Sequence, residues 1–365
     1  MVIDKPVSQL LVDDLDSPSR VALYEQGALV EYFTERDQEE LRLGAIIAVR
    51  ISRIFARQNR AECKLPEGQI ASFRLSGGAK LKAGDMAVIT LSAAPRQHKP
   101  WQAEQGISRA GRYVILHYGQ AGVRASYKAK TQNTPLSDEI STAIGKALDT
   151  DNDKRQSWGC VLKRACLERL NAGEDMLALI LDEIKALLDP IDEAALASAP
   201  KLAEPKMLYQ GDDLLLAARL ASISPPMIQI EADRLIWDEI TDKITKVAAE
   251  QWVLDSGIIL TTQMTQALTA IDIDSASSQL GPRDIARQSA RPIMQLIRLA
   301  RLSGIVLVDM PRLPVGDREA VLAGMREEAS RDRRHPDILG FSRAGLIEIV
   351  IRHHYAPHPK AIENH

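Results

Sequence analysis

The sequence predicts a mixed α+β chain of several subdomains. Three observations carry this: short β-rich pieces punctuated by Gly and Pro before residue 130, a helical pattern at 136–149, and a strand–helix–strand–helix–strand run after residue 266. At 365 residues the chain is long enough for several buried cores. Residues 20–33, RVALYEQGALVEYF, alternate apolar and polar side chains about Gln26-Gly27, as a hairpin does, and a polar stretch from Thr34 to Glu40 follows. Strands are expected at 45–55, 61–65, 69–75 and 86–93, broken at Pro66-Glu67-Gly68 and Gly77-Gly78. Their spacing and Arg content suit an OB-type β-barrel that grips single strands. GRYVILHYG (111–119) is a further strand, turning through Gly119–Gly122 into GVRASY. The 136–149 helix has Ser137 as its cap, and WGCVLKRAC (158–166) reads as a strand running into a helix.

The Ala- and Pro-rich segment 188–206 is expected to be a linker or irregular crossover. QALTAID (266–272) is a strand, and residues 285–303 form a helix that Pro292 should kink or split. GIVLVDM (304–310) has the near-continuous apolar run of a strand buried on both faces. A helix over 314–333 and a strand at 345–353 complete an α/β unit with parallel neighbours. His353 and His354 are expected in a solvated tail, since no carboxylate partner for a metal is evident.

Composition narrows the function classes. No apolar run reaches the roughly 18–20 residues of a membrane span, and Met1–Lys5 lack a signal-peptide pattern. The three cysteines, Cys63, Cys160 and Cys166, form no CxxC pair, which argues against a disulfide framework or zinc knuckle and for a cytoplasmic protein. The net charge is −3, yet Arg42–Lys130 holds 16 Lys or Arg against four acids. Such asymmetry predicts a cationic module facing a polyanion.

Asp272 ends one apolar strand and Asp309 ends the next after a helical crossover. If that crossover joins adjacent parallel strands, both carboxylates reach the same sheet edge, and Asp274 projects from the same face as Asp272. Converging carboxylates repel unless a cation lies between them, and hard oxygen donors suit Mg²⁺ or Mn²⁺. Strand-end Asp residues also serve simply as caps or turn formers. Arg283, Arg287 and Arg291 share a helix face, with Arg298 and Arg301 following. They line either a phosphodiester path or a solvated surface.

QALTAIDIDSAS (266–277) resembles the ALTAIDIN-S-A signature of the ribonuclease E/G family. GIVLVDM resembles its GLIVIDF, SRAGLIEI (342–349) its SRFGLLEM, ISRAGRYVIL (107–116) its ISLAGSYLVL, and residues 20–32 its opening hairpin, all in the family's order. The resemblance implies an RNase H-like subdomain split between 1–38 and a shortened 188–232, and an OB-type barrel at 39–100. It further implies a 5′-sensor-like subdomain at 101–187 and a DNase I-like catalytic subdomain at 233–365. It implies Mg²⁺-dependent (or Mn²⁺-dependent) cleavage of single-stranded RNA leaving a 5′ phosphate. Asp272 and Asp309 match the metal-binding aspartates, and Asp274 stands where the family has an Asn. Phe73, Lys99, Lys163 and Arg164 fall at RNA-contacting positions. With Arg109, Arg283 and Arg287 they make the candidate RNA-binding set.

The sequence departs from the family pattern at several points. Cys63 stands at a usually aromatic barrel position, Lys163-Arg164 replaces the sensor's Arg-Thr pair, and Arg312 replaces an acid. The sequence stops where the family has a zinc link and small dimerising domain. A compact form is therefore implied, without a zinc-linked dimer and with any oligomer made through protein surfaces. The alternative is a catalytically weak RNA-binding or regulatory protein on the same fold. A phosphodiesterase acting on a small nucleotide or on DNA is a further class, which the basic segment disfavours.

Overall fold

Three N-terminal strands, β1 (Ser8–Val12), β2 (Arg20–Glu25) and β3 (Ala28–Thr34), pair antiparallel in sequence order. The β2–β3 turn places Gln26 and Gly27 at φ +51° and +75°, the left-handed pair that matches the right-handed twist of a two-residue hairpin. The computed structural model describes residues 8–34, 41–76, 81–96, 99–126, 138–148, 158–275 and 277–354. Ser137, Gly77-Gly78 and most of the 34–40 stretch lie outside the described residues. The chain divides into two units, residues 35–225 and residues 1–34 with 226–365.

In the 35–225 unit, β4 (Ile46–Phe55), β5 (Arg60–Lys64), β6 (Ile70–Arg74), β7 (Met86–Ala93) and β8 (Trp101–Gln105) form a closed five-stranded, OB-like barrel. Its order is β4-β5-β6-β8-β7, with β7 returning to β4 and β6 parallel to β8. The closing strand, WQAEQ, was not among the expected strands, since three of its five residues are polar. Val49, Ile51, Ala61, Cys63, Ala71, Phe73, Ile89 and Leu91 are buried in the barrel. Burial pushes the Cys63 thiol up to about 12, so it is an inert core atom.

A second sheet follows, built from β9 (Ser108–Ala110), β10 (Val114–Tyr118), β11 (Gly122–Ala125) and β12 (Trp158–Leu162) in the order β11-β12-β10-β9. Helices α1 (Asp138–Leu148), α2 (Arg164–Asn171) and α3 (Leu177–Leu188) share its core through Ile144, Leu167, Ile180 and Ile184. The expected linker is instead ordered. Asp192 caps α4 (Glu193–Ser198) by accepting from the Ala194 and Ala195 N–H groups. Then β13 (Lys206–Tyr209) pairs with β4, and α5 (Leu214–Ala221) follows. The alanines that looked like linker composition are good helix formers once capped.

The other unit contains β1–β3 and β14 (Met227–Ile230), which lies parallel to β1. Helix α6 (Arg234–Ala248) leads into a six-stranded sheet of order β15-β16-β17-β18-β20-β19. Its strands are β15 (Gln251–Val253), β16 (Ile259–Met264), β17 (Leu268–Asp274), β18 (Gly304–Asp309), β19 (Asp337–Phe341) and β20 (Leu346–Ile351). Helix α7 (Pro282–Leu299) crosses from β17 to β18 and runs unbroken through Pro292. The proline removes one N–H, while buried Ser289, Ala290, Ile293 and Met294 hold both flanking turns.

Helix α8 (Val315–Arg331) leads into β19, a strand the sequence did not reveal because DILGF is short and carries Gly340 beside a register shift. Since β19 and β20 form a hairpin, β20 runs antiparallel to β18, correcting the expected parallel neighbour. Residues of α6, α7 and α8 join the sheet in one core. β18 is covered on one face only: Val306 and Val308 are fully buried, whereas Ile305 is 47% exposed.

Arg298 of α7 and Arg301 just beyond its end also turn inward. Arg298 donates to Glu25 at 2.9 Å and Glu31 at 2.8 Å, and Arg301 donates to the Tyr32 carbonyl at 2.8 Å. His353 is no solvated tail, since its Nδ1 meets the Ser303 hydroxyl at 2.8 Å.

Candidate active site

Alternation along β17 builds the site. Thr269, Ile271 and Ile273 face the helices, so Asp272 and Asp274 emerge on the uncovered face. On β18, Val306 and Val308 anchor the covered face and Asp309 emerges opposite. β17 and β18 are parallel, and Asp272 pairs in register with Asp309 at their carboxyl ends. The row continues to Thr261 of β16 on one side and Leu346 of β20 on the other. Neither the Asp272 nor the Asp309 carboxylate meets a hydrogen-bond or ion-pair partner among the described residues. Two uncompensated negative charges are thus fixed side by side on a sheet edge of the kind that collects ligands.

Arg283 and Arg287 lie on the first turns of α7, in the same unit. Arg283 donates to Asp317 of α8 at 2.8 Å, and Arg287 approaches the same carboxylate at 3.9 Å. Arg291 pairs with Glu328 at 3.4 Å. The four-residue arginine spacing therefore reads onto acids of the neighbouring helix. Arg283 and Arg287 keep more than half of their side chains exposed, enough to meet a phosphate as well. Arg312 is an exposed loop residue after β18.

The other candidates belong to the 35–225 unit. Phe73 has no exposed surface: its ring packs the barrel and cannot stack on a base, which corrects that assignment. Arg109 is likewise buried, pairing with Asp212 at 2.5 Å under the Tyr209 ring and donating to the Leu187 carbonyl. It holds the fold and faces no ligand. Lys99 is exposed and forms an isolated antiparallel bridge with Arg96.

Lys163 donates to the Gly111 carbonyl at 2.8 Å, and Arg164 pairs with Glu168 at 2.6 Å. The loop that Lys163 addresses is clamped by buried Glu183, which accepts from the Arg112, Tyr113 and Val114 N–H groups at 2.5, 2.8 and 2.9 Å. Any Cβ at Gly111 would lie 2.4 Å from that carboxylate, so only glycine fits. Burial pushes the Glu183 carboxyl up, opposed by these N–H groups and by Lys163.

The sequence reading missed Phe55. Among the described barrel residues it is the aromatic left partly exposed, and the Arg53 guanidinium lies 5.3 Å from its ring centroid. The i, i+2 spacing of Arg53 and Phe55 on β4 was the available signal.

Residues 229–354, which include the three aspartates, match the Ribonuclease E/G family. Ribonuclease G of Salmonella typhimurium is 22% identical over 94% of this chain and 79% of its own length, and that of Escherichia coli K12 matches to the same extent. The segment match and the likeness over most of the chain both point to the ribonuclease E/G family. Escherichia coli ribonuclease E is 33% identical over 30% of this chain, which is 11% of its own length. Within this family match, the aspartate row on β17 and β18 is the part of the chain where sequence signature and geometry coincide.

Proposed function

We propose that this chain is a metal-dependent endoribonuclease that cleaves single-stranded RNA and leaves a 5′ phosphate on the downstream fragment. The observation that carries the proposal is the register pair Asp272–Asp309, without a described partner, inside the segment that matches the family. The relatives named ribonuclease G and ribonuclease E support RNA as the substrate. We further assign residues 233–365 to a DNase I-like subdomain and the β1–β3 and β14 sheet to an RNase H-like one.

The donor set fits Mg²⁺ or Mn²⁺. Among the described residues no group of three or more His, Cys, Asp or Glu is placed to hold a metal, so an ion here would have two protein carboxylates. Mg²⁺ commonly binds through one or two carboxylates, keeping waters and taking phosphate oxygens in its remaining positions. When bound, it would supply Lewis-acid polarisation of the phosphodiester and a water of lowered pKa. Asp272 and Asp309 hold the charge at the strand ends, and Asp274, on the same face, orients a ligand through its carboxylate. Thr261, across from Asp272, adds a hydroxyl to the same row. On the barrel, Phe55 offers the stacking ring and Arg53, Lys99 and neighbouring cations offer phosphate contacts.

The test is a labelled single-stranded RNA incubated with the protein in Mg²⁺, Mn²⁺ or EDTA. Internal cleavage with 5′-phosphorylated products in metal, and none in EDTA, is expected. Salt-sensitive binding with no cleavage in any metal would favour the RNA-binding alternative.

A further inference from the structure

On the opposite face of the catalytic sheet, α6, α7 and the β15–β16 hairpin border an open pocket of about 600 Å³. Trp252 faces it because β15 alternates: Gln251 and Val253 pair with Thr261 and Ile259, while Trp252 pairs with buried Leu260 on the helix side. Each helix contributes one stripe. Lys243 and Lys246 share a face of α6 with Glu239, and Gln288 and Gln295 share a face of α7 on either side of Pro292. The side chains of Lys243, Lys246, Gln288 and Gln295 meet no hydrogen-bond or ion-pair partner among the described residues. A half-buried indole, two glutamine side chains and two lysines therefore border one space.

We infer that this pocket is a binding site for an adenine nucleotide, distinct from the aspartate row. The indole offers a stacking face for the base. A glutamine amide can match the adenine N6/N7 edge bidentately. Lys243 and Lys246 supply point charges for a phosphate, and Asp255 supplies an acceptor for ribose hydroxyls. The volume falls in the range of small-ligand pockets, about 300–1,000 Å³. The same chemistry is presented by a free nucleotide and by the 5′-terminal nucleotide of an RNA.

The experiment is calorimetric titration of the full chain with AMP, adenosine, UMP and a 5′-phosphorylated oligoadenylate. AMP should bind saturably at one site, with adenosine and UMP at least tenfold weaker. K243E/K246E, two exposed positions, should weaken AMP at least tenfold without lowering the melting temperature. Asp272→Asn and Asp309→Asn should leave AMP binding unchanged, which separates this site from the cleavage site whatever the outcome for catalysis. AMP binding with the oligoadenylate excluded identifies the free nucleotide as ligand, and competition between them identifies the RNA end. Absence of saturable AMP binding, full affinity in K243E/K246E, or loss of AMP binding in the aspartate variants overturns the proposal.

Discussion

Replacing Asp272 or Asp309 by Asn tests the proposed site through two readouts of opposite sign. Adjacent strands lie about 4.8 Å apart, so carboxylates in register on β17 and β18 interact across roughly 5 Å. In water two such charges repel by about 0.8 kcal/mol, and salt reduces this further. A kcal/mol moves the melting temperature of a domain of this size by about 2–4 °C. Each Asn variant should therefore melt about 1–3 °C higher than the parent in EDTA. Millimolar Mg²⁺ should raise the parent's melting temperature by mass action and leave the variants nearly unmoved. Cleavage should fall about 10²–10³-fold, which corresponds to losing some 3–4 kcal/mol of transition-state stabilisation. The assays are differential scanning fluorimetry with and without Mg²⁺ and single-turnover cleavage of labelled RNA. Near-parental cleavage in either variant with Mg²⁺ as sole metal would falsify the site. A melting temperature many degrees lower would show that the carboxylates serve the strand ends instead.

Phe55→Ala should weaken single-stranded RNA binding by about 1–3 kcal/mol while leaving the fold intact, whereas Phe73→Ala should destabilise the barrel by about 3–5 kcal/mol; gel-shift titrations and thermal melts separate the two, and equal effects on binding would refute the placement of the stacking surface. Arg298→Met strands Glu25 and Glu31 without their cation and should cost about 3–5 kcal/mol by urea unfolding, so an unchanged midpoint would refute the network's importance. Against the burial that pushes it up, Arg334 and Arg298 hold the Asp332 carboxyl below its usual 3.8; its stabilising contribution is present above about pH 4, is lost as pH falls further, and should be absent from the acid melts of Asp332→Asn. Lys163 and Arg164 already hold the Gly111 carbonyl and Glu168, so 5′-hydroxyl and 5′-monophosphate RNAs should be cleaved at similar rates. A large monophosphate advantage that disappears in Arg164→Ala would show that these residues do read the 5′ end.

What the sequence determined by itself is what depends on neighbours along the chain. Alternation about Gln26-Gly27 makes a hairpin, and the apolar β17 and β18 segments each end in Asp. Parallel pairing of those two strands across a helical crossover then brings Asp272 and Asp309 to one edge. What only the tertiary structure decided is which face each residue takes and which charge it meets. Phe73 and Arg109 have the same local sequence character inside or outside a barrel. Only closure by β8, a strand too polar to stand out, makes the Phe73 ring core, and only the distant Asp212 makes Arg109 structural. Likewise the α7 arginines look alike in sequence, yet Arg283 meets Asp317 on α8 while Arg298 is buried against the β2–β3 hairpin. Local periodicity fixes backbone geometry within a few residues, but burial and ion pairing are set by residues tens to hundreds of positions away. The placement of the two aspartates at one sheet edge was therefore legible from the sequence, while the burial of Phe73 and Arg109 became legible only in three dimensions.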